Sequence, residues 1–305
     1  MAAMPEMHEL NVGDARLAVL VEGEGPLIVA AHGFPDCQRS FRHQVAPLVA
    51  AGLRIARVAM RGYAPSSASS VGRYDVGVLA GDLVAVADAL SPASPVGLLG
   101  HDWGAVASYA AAALRPERFS GIATLAVPHL RVALPRFFTL EQLRRSFYMV
   151  EFQRSSAARA LRARDFAEVD ALWHRWSPGY EASADERAAV KAALGPHLEA
   201  TLGYYRALRR PDRQTLSLLF KKTAIPAIYL HGRTDGCIGA SLVRGVEKAY
   251  TGSCEVVVIE RAGHFLHQER PDAVNAHLVP FFGRVLDPGG AKSALGTKPS
   301  RQPAS

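Results

Sequence analysis

The chain has 305 residues, 49% of them hydrophobic, with 35 Lys plus Arg against 28 Asp plus Glu. That length suits one large α/β domain, alone or with an insertion, and no apolar stretch nears the length needed to cross a bilayer. The positive excess is local: residues 129–222 hold 17 basic against 10 acidic side chains, and the rest balances at 18 against 18. Its arginines are spread through helical-looking sequence without interleaved aromatics, which argues for a solvated basic face and against a nucleic-acid partner.

In chain order, residues 9–21 hold two short strand-like runs broken at Gly13-Asp14, a hairpin signal. No signal peptide is expected, because the first ten residues lack a basic region followed by an apolar run. Residues 27–31 form a compact apolar run that reads as a strand buried on both faces. It ends in His32-Gly33-Phe34-Pro35-Asp36, a turn that can aim the Phe34 backbone N–H into a cleft. A helix over 41–51, a strand over 54–60, a loop over 61–66 and a helix over 75–90 follow. Next come an apolar strand-like run from Val96 that stops at Gly100, an Ala-rich helix over 105–114 and a strand over 119–127. Strands alternating with helices predict a mostly parallel sheet covered on both faces. Cys37, Cys237 and Cys254 are odd in number and lack metal spacing, so free thiols in a reducing, cytoplasmic setting are expected.

The stretch Gly100-His101-Asp102-Trp103-Gly104 organises the rest. An apolar run stops at Gly-x-Asp-x-Gly and a helix former follows at once, the pattern of a strand, a sharp turn and a helix. The residue at the turn is Asp102 rather than serine. A carboxylate is already ionised at neutral pH and the positive end of a helix favours its charge, so Asp102 can attack an electrophilic carbon directly. The competing reading of those residues alone is a helix N-cap.

From Pro128 to about residue 222 the strand pattern vanishes and helical sequence takes over, with breakers at Pro135, Ser177-Pro178-Gly179, Gly195-Pro196 and Pro211. Strand-like sequence resumes at 225–231. The segment 129–222 therefore reads as a helical lid inserted between two strands of a core formed by 1–128 and 223–287. Past it, Asp235 lies in the turn after a strand. A helix near 240–250 and a strand over 254–259 come next, and His264 follows in Ala262-Gly263-His264-Phe265. The tail 288–305, rich in Gly, Pro, Ser and Lys, reads as disordered.

Nucleophile, acid and base thus come in the order Asp102, Asp235, His264, each just past a strand, which is the order described for α/β-hydrolases. Together with His32-Gly33-Phe34-Pro35-Asp36 and Gln268-Glu269-Arg270-Pro271, these motifs resemble epoxide hydrolases of the α/β-hydrolase fold, with haloalkane dehalogenases as near relatives. The resemblance covers nearly the whole chain except the tail. It implies two lid tyrosines over the nucleophile: Tyr148, four residues before the Phe152-Gln153 pair, and Tyr205 in Gly203-Tyr204-Tyr205-Arg206. The family usually has Asn-Trp-Tyr-Arg there, so Tyr204 and Tyr205 both stay candidates.

On this reading Asp102 opens an apolar epoxide to an ester while the tyrosines donate to the ring oxygen. His264, oriented by Asp235, then activates a water. The backbone N–H groups of Phe34 and Trp103 hold the oxyanion, and a vicinal diol leaves. No metal or organic cofactor is expected, since the eleven histidines offer no pair at helical metal-binding spacing. Two alternatives remain open: a dehalogenase using the same triad, and a ligand receptor that performs no chemistry. A homodimer also stays open.

Overall fold

A computed structural model describes residues 5–287. The expected tail 288–305 lies outside the described residues. The chain opens with β1 (Glu6–Val12) and β2 (Ala15–Glu22), paired antiparallel with Val12 opposite Ala15, so the two-residue turn falls at Gly13-Asp14. There follow β3 (Leu27–Ala31), α1 (Arg42–Ala50), β4 (Arg54–Val58), α2 (Val76–Leu90), β5 (Val96–His101), α3 (Trp103–Leu114) and β6 (Phe119–Leu125). After the helical stretch described below come β7 (Ala227–Gly232), β8 (Cys254–Ile259), α11 (Leu266–Glu269) and α12 (Pro271–Leu286).

The eight strands form one sheet in the order β1-β2-β4-β3-β5-β6-β7-β8, parallel from β4 onward. The central strands β3 and β5 are buried at every residue, as runs such as Leu27-Ile28-Val29-Ala30-Ala31 require when both faces are covered. Helices α1, α11 and α12 pack on one face and α2 and α3 on the other, each with its own apolar core. The chain goes from β3 to β4 on one side and then to β5 on the other. The strand order therefore reverses between β3 and β5, the crevice where open α/β sheets bind ligands.

Between β6 and β7 the described residues contain seven α-helices and no strand of the sheet: α4 (Leu130–Phe137), α5 (Leu140–Arg145), α6 (Tyr148–Glu151), α7 (Ala157–Trp176), α8 (Ala184–Leu194), α9 (Leu198–Ala207) and α10 (Arg213–Phe220). Side-chain caps start several of them. Ser183 and Glu186 form a reciprocal capping box on α8, and Asp212 accepts from the Thr215 N–H on α10. Helix α7 is interrupted at Ala163–Phe166, where Arg164, Asp165 and Phe166 have positive φ.

Two local expectations differ. Pro135 lies inside α4 instead of ending it; in so short a helix the proline gives up a single hydrogen bond. The helix expected near 240–250 is two 3₁₀ turns, Ala240–Val243 and Val246–Ala249, separated by Gly245 at φ 83°, a left-handed conformation that no continuous helix passes through.

One buried ion pair joins the sheet layer to the inserted helices. The Arg61 guanidinium donates to both carboxylate oxygens of Asp82 on α2 at 2.6 Å and to Asp14 at 2.9 Å, while its backbone carbonyl accepts from the Tyr204 hydroxyl of α9 at 2.7 Å. Removing one member of a buried pair leaves the other charge desolvated, at a cost of about 3–5 kcal/mol. Because Arg61 keeps Asp14 at 2.9 Å, Asp82→Ala removes two charge-assisted hydrogen bonds without leaving the guanidinium unpaired, and is expected to lower the unfolding free energy by less, about 1–3 kcal/mol, read from urea titration followed by circular dichroism. A change near zero would mean that Asp14 alone satisfies Arg61.

Candidate active site

Asp102 follows β5 with φ 52° and ψ −117°, backbone angles that residues other than glycine avoid. The strain is held by close approach on both sides. A Cβ on Gly104 would lie 1.9 Å from the Ala31 carbonyl oxygen, so α3 can start against the end of β3 only if that position is glycine. A Cβ on Gly33 would meet the Asp102 carboxylate at 2.3 Å. The result is a carboxylate gripped by the backbone: the Phe34 N–H donates to Asp102 Oδ1 at 2.8 Å. The Trp103 N–H is the first of α3, where no intrahelical acceptor exists.

His264 presents Nε2 to Asp102 Oδ2 at 3.6 Å, and its Nδ1 pairs with Asp235 Oδ2 at 2.9 Å. The other Asp235 oxygen accepts from the Cys237 and Ile238 N–H groups at 2.7 and 2.8 Å, which fixes the carboxylate in the turn after β7. His264 is fully buried, and its Nε2 makes no hydrogen bond of normal geometry. Burial alone would lower its pKa, but the charge of Asp235 and contacts with both carboxylates outweigh that and raise it to about 10. The Asp235 carboxyl is held below its ordinary value; burial opposes this, and the adjacent His264 prevails.

The roof of the site comes from α6 and α9. A cavity of about 260 Å³ is lined by Asp102 and Trp103 below, by Tyr148 and Tyr205 above, and otherwise by apolar side chains such as Val106, Phe137, Met149 and Leu219. The Tyr205 ring stands edge-on to Trp103 and Phe34, with centroids at 5.2 and 5.6 Å, and its buried hydroxyl makes no hydrogen bond of normal geometry. The Tyr148 hydroxyl lies 3.4 Å from the Cys237 sulfur, a weak partner, and interacts with the neighbouring Tyr205 hydroxyl. Burial pushes both phenols well above their ordinary pKa, so they stay protonated and able to donate. Tyr204 turns the other way: its hydroxyl is spent on the Arg61 carbonyl and its ring stacks on Tyr74. Of the two candidates on α9, Tyr205 is the one that faces the cavity.

Several contributors carry no role in the sequence reading. The Gln153 amide donates to the Met149 and Tyr205 carbonyls at 3.1 and 3.0 Å, tying α6 to α9 and so spacing the two tyrosines. Trp176 at the end of α7 accepts from the His264 N–H at 3.0 Å and packs its ring on both His264 and Tyr148. Glu269 accepts from the Gly263 N–H at 2.6 Å and steadies the turn that carries His264. Behind His264, Asp36, His101 and His267 bring potential ligand atoms within 4.8 Å of one another. The Ser40 hydroxyl bonds both Asp36 and His267, at 2.6 and 2.8 Å, making them parts of one hydrogen-bonded support. Burial lowers the His101 pKa to about 3 and that of His267 well below normal, so His264 is the imidazole in this group that keeps a proton. The sequence motifs contain Gln153, Asp36, His101 and Glu269 without assigning them these roles, and they offer no signal for Trp176, Ser40 or His267.

Residues 26–271 match the family model of the alpha/beta hydrolase fold. Among curated proteins, the chain is 29% identical to Epoxide hydrolase A of Mycobacterium tuberculosis, over 91% of this chain and 97% of that protein. It is 28% identical to an epoxide hydrolase of Caballeronia sordidicola, over 91% and 94%. Among solved structures it superposes on Epoxide Hydrolase A from Mycobacterium thermoresistibile with a TM-score of 0.73, at 30% identity over 91% of this chain and 98% of that one.

The His264 proton links the site to stability. Its pKa in the folded chain, about 10, exceeds the ordinary 6.5 of an unfolded histidine. The folded state therefore binds this proton more tightly, and the stabilisation is complete below about pH 6.5 and lost as pH rises through about 10. The thermal midpoint is expected to fall across that window more steeply in the native chain than in His264→Gln. Parallel pH profiles for the two proteins would contradict the assignment.

Proposed function

The chain belongs to the α/β-hydrolase fold family, and from that premise we propose that it hydrolyses apolar epoxides to vicinal diols through an ester on Asp102. The observation that carries the reading is the pair of buried phenols, Tyr148 and Tyr205, lining the same cavity as a gripped carboxylate without strong partners of their own. Epoxide opening leaves an alkoxide, a poor leaving group that two aimed O–H donors stabilise.

Asp102 Oδ2, the oxygen not held by Phe34, attacks a ring carbon and the carbon–oxygen bond of the ring breaks. The electron pair goes to the ring oxygen, which takes a proton from a tyrosine. The ester carries no charge, so one of the two attractions that kept His264 protonated is lost once Asp102 is alkylated; the His264 pKa falls and its Nε2 proton passes to the tyrosinate, restoring the phenol. The free Nε2 can then take a proton from water, and the resulting hydroxide attacks the Asp102 carbonyl. The Phe34 and Trp103 N–H groups receive the oxyanion, and its collapse expels the diol, whose oxygen is protonated by His264. Asp102 emerges as the carboxylic acid and passes its proton to His264, which restores the carboxylate and the imidazolium, so each cycle consumes one epoxide and one water.

The helices between β6 and β7 act here as a lid over a core built from residues 1–128 and 223–287. Substrates are apolar, because among the described residues Asp102 is the one carboxylate and no amine lines the cavity wall. The free cysteines fit a reducing, cytoplasmic setting. A halide leaving group would favour N–H donors in an apolar cradle. Trp103 lines the cavity, and the paired phenols Tyr148 and Tyr205, which suit an alkoxide, are the donors that favour the epoxide.

Two variants test the chemistry. In His264→Gln, ester formation continues while hydrolysis stops, so intact-mass measurement should find the protein carrying one epoxide; full turnover, or no adduct with a substrate the native chain consumes, would remove His264 from the water step. Tyr148→Phe and Tyr205→Phe should each slow ester formation by about two to three powers of ten in single-turnover kinetics, with Tyr204→Phe much milder. Near-native epoxide turnover in both single variants, or faster halide release from bromoalkanes than diol formation from any epoxide tested, would hand the site to dehalogenation.

A further inference from the structure

Of the nine large apolar side chains that stand exposed among the described residues, six fall between residues 134 and 150: Leu134, Phe138, Leu140, Leu143, Phe147 and Val150. Phe138 and Leu140 are the extreme cases, 70% and 65% exposed. All lie on α4, α5, α6 or the short turns between them, and α4 and α6 also form the cavity wall. Phe137 points into the cavity and Phe138 out; Tyr148 and Met149 point in, Phe147 and Val150 out. Leu134 both lines the cavity and reaches the surface, and the other five form the outer face of the wall around the site; apolar surface of this kind marks a place where something else binds.

The charge around the patch says what. Residues 130–154 hold five arginines and two glutamates. Glu141 is paired with Arg145; Glu151 is exposed at the α6 end, and Arg144 and Arg154 are exposed with no side-chain partner among the described residues, so the border keeps a net positive charge. Apolar side chains that include two phenylalanines, bordered by free guanidinium groups, match the interface of an anionic lipid layer, where aromatic groups enter the acyl boundary and cations meet the headgroups. A second copy of the chain fits worse, because a two-fold contact would set this basic border against itself.

We propose that the face formed by α4, α5 and α6 docks on an anionic lipid surface, with Phe138 and Leu140 inserted and Arg144 on the headgroups, and that apolar substrate passes from lipid into the cavity. The docking rests on surface chemistry alone; only its purpose rests on the epoxide reading.

The test is co-sedimentation of the full chain with phosphatidylcholine vesicles, with and without phosphatidylglycerol, at low and high salt. The native chain is expected to bind the anionic vesicles and to lose them at high salt. Phe138→Ser combined with Leu140→Ser should reduce the bound fraction by about tenfold or more, and Arg144→Glu should also weaken it, both with native circular dichroism and native turnover of a water-soluble epoxide. Phe138→Trp should keep binding and show a blue shift in fluorescence on anionic vesicles only. No vesicle binding, binding that the double variant leaves intact, or a dimer in sedimentation equilibrium that the double variant dissolves would each overturn the proposal. The vesicle measurements need no catalysis, so they stand or fall independently of the reaction assigned to the site.

Discussion

The structure depends on how closely the first turn of α3 lies against the end of β3. Without a side chain at Gly104 the helix starts in contact with the Ala31 carbonyl, and Asp102 is forced into left-handed backbone angles between the two strands where the sheet order reverses. That placement brings the carboxylate to the Phe34 N–H and opens its second oxygen to His264. The strain costs on the order of 1–3 kcal/mol, sustained by a strand buried at every residue and by an almost wholly buried α3.

Electrostatics then turns geometry into order of events. Two carboxylates and one imidazole share a space from which water is largely excluded, and the histidine holds its proton because two negative charges face it. In the proposed cycle alkylation of Asp102 would remove one of those charges, which would make the same residue a stabilising cation before the ester forms and a base after it. The neighbouring His101 and His267, buried and neutral, provide a polar support that does not compete for that proton.

Much of this was legible in the chain because the motifs are local. Gly-x-Asp-x-Gly after an apolar run, a carboxylate after one later strand and a histidine after the next are each visible within a few residues, and the hairpin at Gly13-Asp14 has the right turn chemistry. What stayed hidden depends on long-range contacts. Adjacent residues on a helix point about 100° apart, so the sequence does not say which of Tyr204 and Tyr205 faces inward. The answer lies in the carbonyl of Arg61, far away in the chain, which takes the Tyr204 hydroxyl. The role of Gln153 is invisible for a similar reason: it bonds two backbone carbonyls, which no pattern of side chains reveals. The 3₁₀ turns after β7 mimic helical periodicity over too few residues for Gly245 to be read as an interruption.

The helices between β6 and β7 satisfy opposite demands within a few turns. Their inner face must present two phenols to a dry cavity, and their outer face is apolar where a solvated helix would carry charge. Short helices make this feasible. In α6, four residues long, Tyr148 and Met149 face the cavity while Val150 is exposed. Gln153 ties this short helix to α9, since its amide donates to the carbonyls of Met149 and of Tyr205 itself, and so holds the two phenols at a fixed spacing.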